Sequence, residues 1–306
     1  MKRISLMIML VCCITTYATA QTKEETLRKY IKEAQEEKAD ADYIKGMLKA
    51  DSFAKAEHFP AGRGEVSNVL GGYYFTIDPD KSIQYLLKAH EYYLEAGNKA
   101  KATVSLQNVA FAFNDLKKDP QTALKYTLQS IAARTELNDT QELASMTKYA
   151  AMLYGKLGNF KESKRYAIMA INLYGMTENP MGVAASYRDL ANVYDHEKKY
   201  DSSIFIYVKA KNTWQRAKGE RSTIYEWNNA MMDLYVNLGD LQKAEALYHE
   251  NDTASIKIYY TSRLHFYKSS AALFKKKKEK TLAKEYKMKY ANFSDSLKKE
   301  GKHVDE

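Results

Sequence analysis

Apolar and small residues recur along this chain at helical spacing, and the same pattern returns about every 40 residues. The segment from Met146 to Tyr174 shows the unit most clearly, with two such sets: Tyr149, Ala150, Leu153, Tyr154 and Leu157, then Ser163, Tyr166, Ala167, Ala170, Ile171 and Tyr174. Between them, Gly158 can end one helix and Asn159 can cap the next. A turn this short makes two helices antiparallel. We expect them to cross at the small residues Ala151, Ser163 and Ala170.

Three ladders of residues keep this period through most of the chain. An aromatic residue of the first helix recurs at Tyr73, Phe113, Tyr154, Tyr194, Tyr235 and Phe274. A small residue that opens the second helix recurs at Ser82, Ala123, Ser163, Ser203, Ala244 and Ala283. The third ladder runs through Leu70, Ala110, Ala151, Ala191, Met232 and Ala271. The chain is therefore predicted to be a helical repeat protein, whose repeats bury their apolar faces against their neighbours.

These positions resemble the tetratricopeptide repeat (TPR) family. Its pattern is a small residue three before an aromatic residue, then Gly-Asn/Asp-aromatic, followed by two further small residues. The copy at Ala151, Tyr154, Gly158-Asn159-Phe160, Ser163 and Ala170 matches best, and the resemblance covers residues 65–293. Standard repeats have about 34 residues, so these units are longer and are similar to TPR variants of bacterial sensors and regulators. The resemblance implies an all-α, right-handed superhelical solenoid of stacked antiparallel helix pairs.

The family also implies a binding surface, because the first helix of each pair lines the concave face of a TPR array. The matching positions in this chain are Gln107, Phe111, Asn114, Lys148, Met152, Gly155, Arg188, Asn192, Asp195, Asn229, Asp233 and Val236. Lys148, Arg188 and Asn192 resemble part of the Lys/Asn pattern with which some TPR grooves hold a peptide carboxylate. Asp195 and Asp233 would oppose an anion, so an ordinary polar helix face is the alternative.

Residues 1–20 have the features of a cleavable secretory signal: basic Lys2-Arg3, an apolar stretch and the small-residue site Ala18-Thr19-Ala20 before Gln21. The alternative is a lipoprotein signal at Cys12 or Cys13, although Val11 before Cys12 is larger than such signals prefer. We therefore expect an exported, periplasmic protein. Both cysteines lie in the removed segment, so the mature chain would contain no disulfide and no zinc–cysteine site.

The rest of the chain divides into three expected parts. Residues 21–62 form an N-terminal helical cap or degenerate repeat, residues 63–297 an array of about six helix pairs, and residues 298–306 a charged tail. The clearest break before the array is His58 to Gly64. The segment from Tyr290 to Leu297 resembles the one that closes the TPR region of certain bacterial membrane sensors.

No catalytic or cofactor motif is present in the sequence, and neither cofactor nor metal is expected. The phosphate-binding, dinucleotide-binding, zinc-protease and EF-hand patterns are missing. The glycine pairs Gly62/Gly64 and Gly71/Gly72 are read as loops or close helix contacts, and the six histidines have no metal-ligand spacing. We therefore expect a protein that is not an enzyme.

The positive charge is concentrated at the C-terminal end. Without Lys2 and Arg3 the net charge falls from +9 to +7, and residues 261–306 contain 13 basic and 6 acidic residues. Lys275 to Lys278 form the centre of this basic end, which could bind an anionic surface or be a solvated helix cap. Nucleic acid is not expected as a partner of an exported protein.

Together these features predict an exported scaffold that binds a protein or peptide on its concave face. The alternative is a sensory module for signal transduction, related to membrane-bound TPR sensors, that binds a small ligand or a membrane-associated partner.

Overall fold

The computed structural model describes residues 21–252, 258–302 and 304. The expected signal segment and the end of the charged tail lie outside these residues. Throughout the described part, the secondary structure is α-helix joined by short turns, with no strand. The described chain divides between Met146 and Thr147, within one helix, into two compact units, here called unit 1 and unit 2.

The helices are of nearly uniform length and follow one another at half the sequence period. They are α1 (21–35), α2 Asp40–Ala56, α3 Pro60–Tyr74, α4 Pro79–Glu95, α5 Lys99–Asp115, α6 Pro120–Glu136, α7 Thr140–Lys156, α8 Phe160–Met176, α9 Pro180–His196, α10 Tyr200–Arg216, α11 Arg221–Leu238, α12 Leu241–Asp252, α13 Tyr260–Lys276 and α14 Lys280–Lys299. The all-α solenoid of antiparallel helix pairs is confirmed.

The turns repeat one design. A left-handed residue ends a helix, as at Gly97, Gly158 and Gly239, and in other turns a lysine, asparagine, glutamate or histidine takes this conformation at some steric cost. In many of these turns the next residue caps the following helix: the Asn159 side chain accepts a hydrogen bond from Glu162 N at 3.2 Å, and Asp119 accepts one from Thr122 N at 3.0 Å. Where the residue that ends one helix is followed directly by the residue that caps the next, as at Gly158 and Asn159, the turn can be very short.

Each pair is held at close range by the small residues of the ladders. The hydroxyl of Ser163 donates to Ala151 O at 2.7 Å, and that of Ser203 donates to Ala191 O at 2.8 Å. The same bond links Ser82 to Gly71 O in unit 1. A side chain can hydrogen-bond the backbone of a neighbouring helix only when nothing bulky separates the two, so these positions are the expected helix crossings.

The break before the array is shorter than expected. The chain turns at His58 and Phe59, and α3 already begins at Pro60, so Gly62 and Gly64 lie inside a helix. A Cβ atom at Gly62 would approach Leu27 Cδ2 to 2.7 Å, and one at Gly64 would approach Tyr93 Cδ1 to 2.8 Å. These glycines therefore allow close packing of α3, and reading the whole segment as a break was wrong.

Candidate functional site

A cluster of polar side chains in unit 2 combines two of the predicted wall positions on α9 with one on α7. This polar cluster consists of Lys148 on α7, Arg188, Asp189 and Asn192 on α9, and Tyr207 on α10. Lys148 Nζ lies 4.0 Å from Asp189 Oδ2, and Arg188 Nε lies 2.8 Å from Asp189 Oδ1. The Tyr207 hydroxyl donates to Asn192 Oδ1 at 2.5 Å.

The fold of α9 determines which of its residues reach this cluster. Asn179 caps the helix and Pro180 occupies its first turn, while Ala184, Leu190 and Ala191 are buried. Arg188, Asn192 and Asp195 follow one another at i, i+4 and i+7, so they lie along one face of the helix. Tyr207 belongs to α10, the second helix of the pair. Its side chain is only 4% exposed, and its hydroxyl contacts Asn192 from the buried side of α9.

Asp189 holds the two cations of the cluster. Burial raises the pKa of its carboxyl group, and the charges of Arg188 and Lys148 oppose that rise. A buried carboxylate needs these counter-charges, since an unpaired charge in such a place is costly. Lys148 and Arg188 therefore already serve a carboxylate of the protein itself, and the carboxylate of a peptide would have to compete with Asp189 for them.

A cavity of about 370 Å³ opens beside the polar cluster, within the size range of small-ligand sites. Three of the predicted wall positions, Met152, Gly155 and Asn192, line it. The full lining consists of Ala151, Met152, Gly155, Lys156, Ser163, Asp189, Asn192, Val193 and His196. The His196 ring stacks on Phe160, with centroids 5.4 Å apart, which fixes its position at the rim.

The side of this face toward α11 and α13 is acidic. Asp195 and Glu226 are exposed, and Asp233 Oδ2 lies 2.8 Å from His265 Nε2 on α13. Partial desolvation raises the pKa of Asp195, His196 opposes the rise, and the negative charge of nearby Asp233 adds to it. Lys148 and Arg188 bring two positive charges to this face. Asp189, Asp195, Glu226 and Asp233 bring four negative ones, so negative charge is in excess among these six residues.

Four predicted wall residues, three of them polar, are buried and do not face solvent. Gln107 accepts a hydrogen bond from Arg134 Nη2 at 2.9 Å, and Asn114 donates to Asp115 Oδ1 at 2.5 Å, both in unit 1. In unit 2, Asn229 has no exposed surface and donates to Ser262 O at 2.9 Å. Their expected placement on an open wall is corrected accordingly. Phe111 is half-buried in unit 1, and Val236 is buried.

Sequence reasoning missed Asp189 and Tyr207, which complete the polar cluster. The sequence does carry a signal for Tyr207: the residues one and two periods earlier are Ala167 and Thr127, so a large side chain replaces smaller ones at an equivalent position of the repeat. Asp189 is one residue off the expected wall positions, and its role follows from packing that periodicity does not report.

Metal chemistry finds no support in the described residues, where no group of three His, Cys, Asp or Glu side chains is placed to hold an ion. None of the helices there is both long and apolar enough to cross a membrane.

No protein-family model and no curated protein matches the chain. Solved structures do. A signal transduction ATPase with a tetratricopeptide repeat sensor from Pyrococcus horikoshii aligns with a TM-score of 0.69 and 17% identity over 90% of this chain and 44% of that one. RapI in its apo form aligns at 0.62 and 15%, over 90% and 99% of the two chains. The fold is TPR-like. A third such structure, a Rap protein complexed with competence and sporulation factor, aligns at 0.53 and 14%, over 85% and 71%.

Proposed function

We propose that this TPR-like protein is a non-catalytic scaffold that binds an extended protein or peptide segment across the first-helix face of unit 2, formed by α7, α9 and α11. The observation that carries the proposal is the row of partly exposed polar residues, Lys148, Arg188, Asn192 and Asp195, beside an open cavity. Asn229 on α11, by contrast, is buried and donates its hydrogen bond to Ser262 O within the protein.

The charge on this face determines the kind of segment that fits. Lys148 and Arg188 are shared with Asp189, whereas Asp195 and Glu226 form no ion pair in the described part of the chain. Their carboxylates favour a partner with lysine or arginine side chains, since complementary charge steers association and rejects like-charged partners. The partner is therefore a basic segment, and the carboxylate clamp suggested by the sequence is the weaker alternative.

The structural relatives support binding of a segment but do not identify it. One of the Rap proteins with this fold is complexed with competence and sporulation factor. At 14% identity its ligand does not transfer to this chain, but it illustrates that a TPR-like array of similar extent can hold a separate factor.

Binding can be tested with fluorescent peptides of matched length, one set rich in lysine and arginine and one rich in aspartate and glutamate. We expect anisotropy to rise with the basic set alone. Changing Asp195→Asn together with Glu226→Gln should weaken that binding by about tenfold, because each exposed ion pair contributes up to about 1 kcal/mol.

The matched control is Glu91→Gln with Asp201→Asn, which removes the same charge from exposed positions on second helices. The control should bind as the unmodified protein does. Equal losses in both double variants, or binding of acidic peptides alone, would contradict the proposed face.

A sensory function is the second candidate, favoured by the 370 Å³ cavity at Asp189, Asn192 and His196. A small ligand bound there would raise the melting temperature, and the rise would grow with the logarithm of its concentration relative to its Kd. A melting shift with a panel of amino acids and polyamines, combined with no peptide binding, would favour the sensor over the scaffold.

We also propose that the protein is exported. Support comes from Lys2-Arg3, the short apolar stretch and the Ala18-Thr19-Ala20 site. Intact-mass spectrometry of the native protein should find Gln21, in its free or pyroglutamate form, at the N-terminus. A chain that retains Met1, or one with lipid on Cys12 or Cys13, would overturn this proposal.

A further inference from the structure

Six exposed lysines surround the turn between α13 and α14 and continue along α14. This basic patch consists of Lys275, Lys276, Lys278, Lys280, Lys284 and Lys287, all of which are exposed. Lys280, Lys284 and Lys287 are spaced i, i+4 and i+7, so they form one stripe about 10 Å long on α14. The other three lie at the end of α13 beside the start of that stripe.

The neighbouring acidic residues do not neutralise this patch, because other lysines already pair with them. Glu279 binds Lys277 at 2.8 Å, Glu285 binds Lys289 at 2.7 Å, and Glu300 binds Lys302 at 2.8 Å. Among the described residues, none of the six patch lysines forms an ion pair. Asp295 lies about two helical turns beyond Lys287. The patch therefore holds about six uncompensated charges within roughly one or two screening lengths at moderate salt.

Packing directs the patch outward. Ala283, Tyr286 and Leu297 are buried on another face of α14, roughly a quarter turn from the lysine stripe, where Tyr286 packs on Phe274 and Tyr248. On the outward face, next to the lysine stripe, Met288 is 54% exposed. A set of unpaired cations with an apolar side chain among them, displayed on a helix that is anchored by its other face, is suited to a broad anionic surface.

We propose that the basic patch docks the protein on the surface of an anionic lipid bilayer. Lysine is the only basic residue type in the patch, and α14 contains no arginine. Arginine is the residue suited to bidentate recognition of single phosphates and nucleic acids, whereas lysines on flexible stems act as point charges toward many headgroups at once. Met288 can enter the headgroup region, and the remainder of α14 stays packed against α13.

This docking is independent of the peptide face, because the patch shares no residue with the polar cluster of α7, α9 and α10. It places the protein at a membrane surface through charged side chains of α13 and α14. Each lysine near an anionic bilayer strengthens binding by about fivefold, and the attraction is lost as salt screens it.

Co-sedimentation with vesicles tests the proposal. The purified protein should bind vesicles of phosphatidylglycerol and phosphatidylcholine, bind vesicles of phosphatidylcholine alone much less, and be released as salt is raised. A variant with Lys275, Lys276, Lys278 and Lys284 each changed to Gln should bind the anionic vesicles on the order of several hundredfold more weakly. Its helical circular dichroism should be unchanged, because these side chains are exposed.

The control variant changes Lys118, Lys161, Lys198 and Lys218 to Gln, which removes the same charge from exposed positions outside the patch. Three of these lysines occupy left-handed turn positions, as Lys278 does. The control should keep the affinity of the unmodified protein. Equal weakening in both variants, equal binding to both kinds of vesicle, or binding to soluble heparin without binding to anionic vesicles would overturn the proposal.

Discussion

Replacing Asn251 with alanine is expected to lower the free energy of unfolding by about 3–5 kcal/mol, because it leaves several buried polar groups without partners. Asn251 Nδ2 donates to Tyr225 O at 2.9 Å and to Asn229 Oδ1 at 2.7 Å, and its Oδ1 accepts from Asn228 Nδ2 at 3.0 Å. The three asparagines are at most 4% exposed. Water therefore cannot easily replace the lost hydrogen bonds.

The effect should extend beyond α12, because the same network joins α10, α11 and α13. Lys211 donates to Asn228 Oδ1 at 3.0 Å, and Asn229 donates to Ser262 O at 2.9 Å. Urea unfolding followed by circular dichroism measures the loss. Gln242→Ala, an exposed change on the same helix, is the control and should change the stability by less than about 0.5 kcal/mol. Similar midpoints for the two variants would contradict the importance of this network.

The fold could be predicted from the sequence because its determinants are local and repeat. Apolar spacing predicts each helix, and the sequence Gly158-Asn159 supplies both the left-handed residue and the cap that the structure contains. The ladder of small residues predicts the crossings, as the bond from Ser163 to Ala151 O illustrates. These signals depend on neighbours that lie close in sequence, which is why a single chain was sufficient.

The binding face could be predicted only in part, because exposure depends on neighbours that lie far away in sequence. Arg188 and Asn229 occupy equivalent positions in successive repeats, yet Arg188 is partly exposed and Asn229 is fully buried. The difference comes from Asn251 and from Ser262 O, which bind Asn229 from two other helices. Periodicity places a residue on a helix face but does not report what packs over that face.

This dependence changes how the polar cluster should be probed. On the sequence alone, Arg188 and Asn192 are solvent-facing residues whose removal spares stability. In the structure, Arg188 lies 2.8 Å from the carboxylate of the largely buried Asp189, and Asn192 accepts a bond from Tyr207. Truncating either one leaves a polar group without its partner, so a loss of binding would be mixed with a loss of stability. Asp195 and Glu226 are the cleaner positions to change.

Two adjacent glycines of α3 should respond in opposite directions to the same substitution. A Cβ atom at Gly71 would lie 2.7 Å from Leu86 Cγ and 3.3 Å from the backbone nitrogen of Leu86, whereas one at Gly72 would meet nothing within 4 Å. The hydroxyl of Ser82 also donates to Gly71 O at 2.7 Å, so α3 and α4 approach each other closely here. Gly71 cannot gain a methyl group unless these helices move apart.

Gly72→Ala should therefore stabilise the protein by about 0.5–1 kcal/mol, because alanine loses less backbone entropy than glycine in a helix. Gly71→Ala gains the same helix preference, but overpacking against Leu86 costs about 1–3 kcal/mol, so we expect net destabilisation. Each variant is the other's control, since both make the same change in one helix at neighbouring positions. Urea unfolding midpoints that rise by the same amount in both variants would show that α3 and α4 are not held together at Gly71.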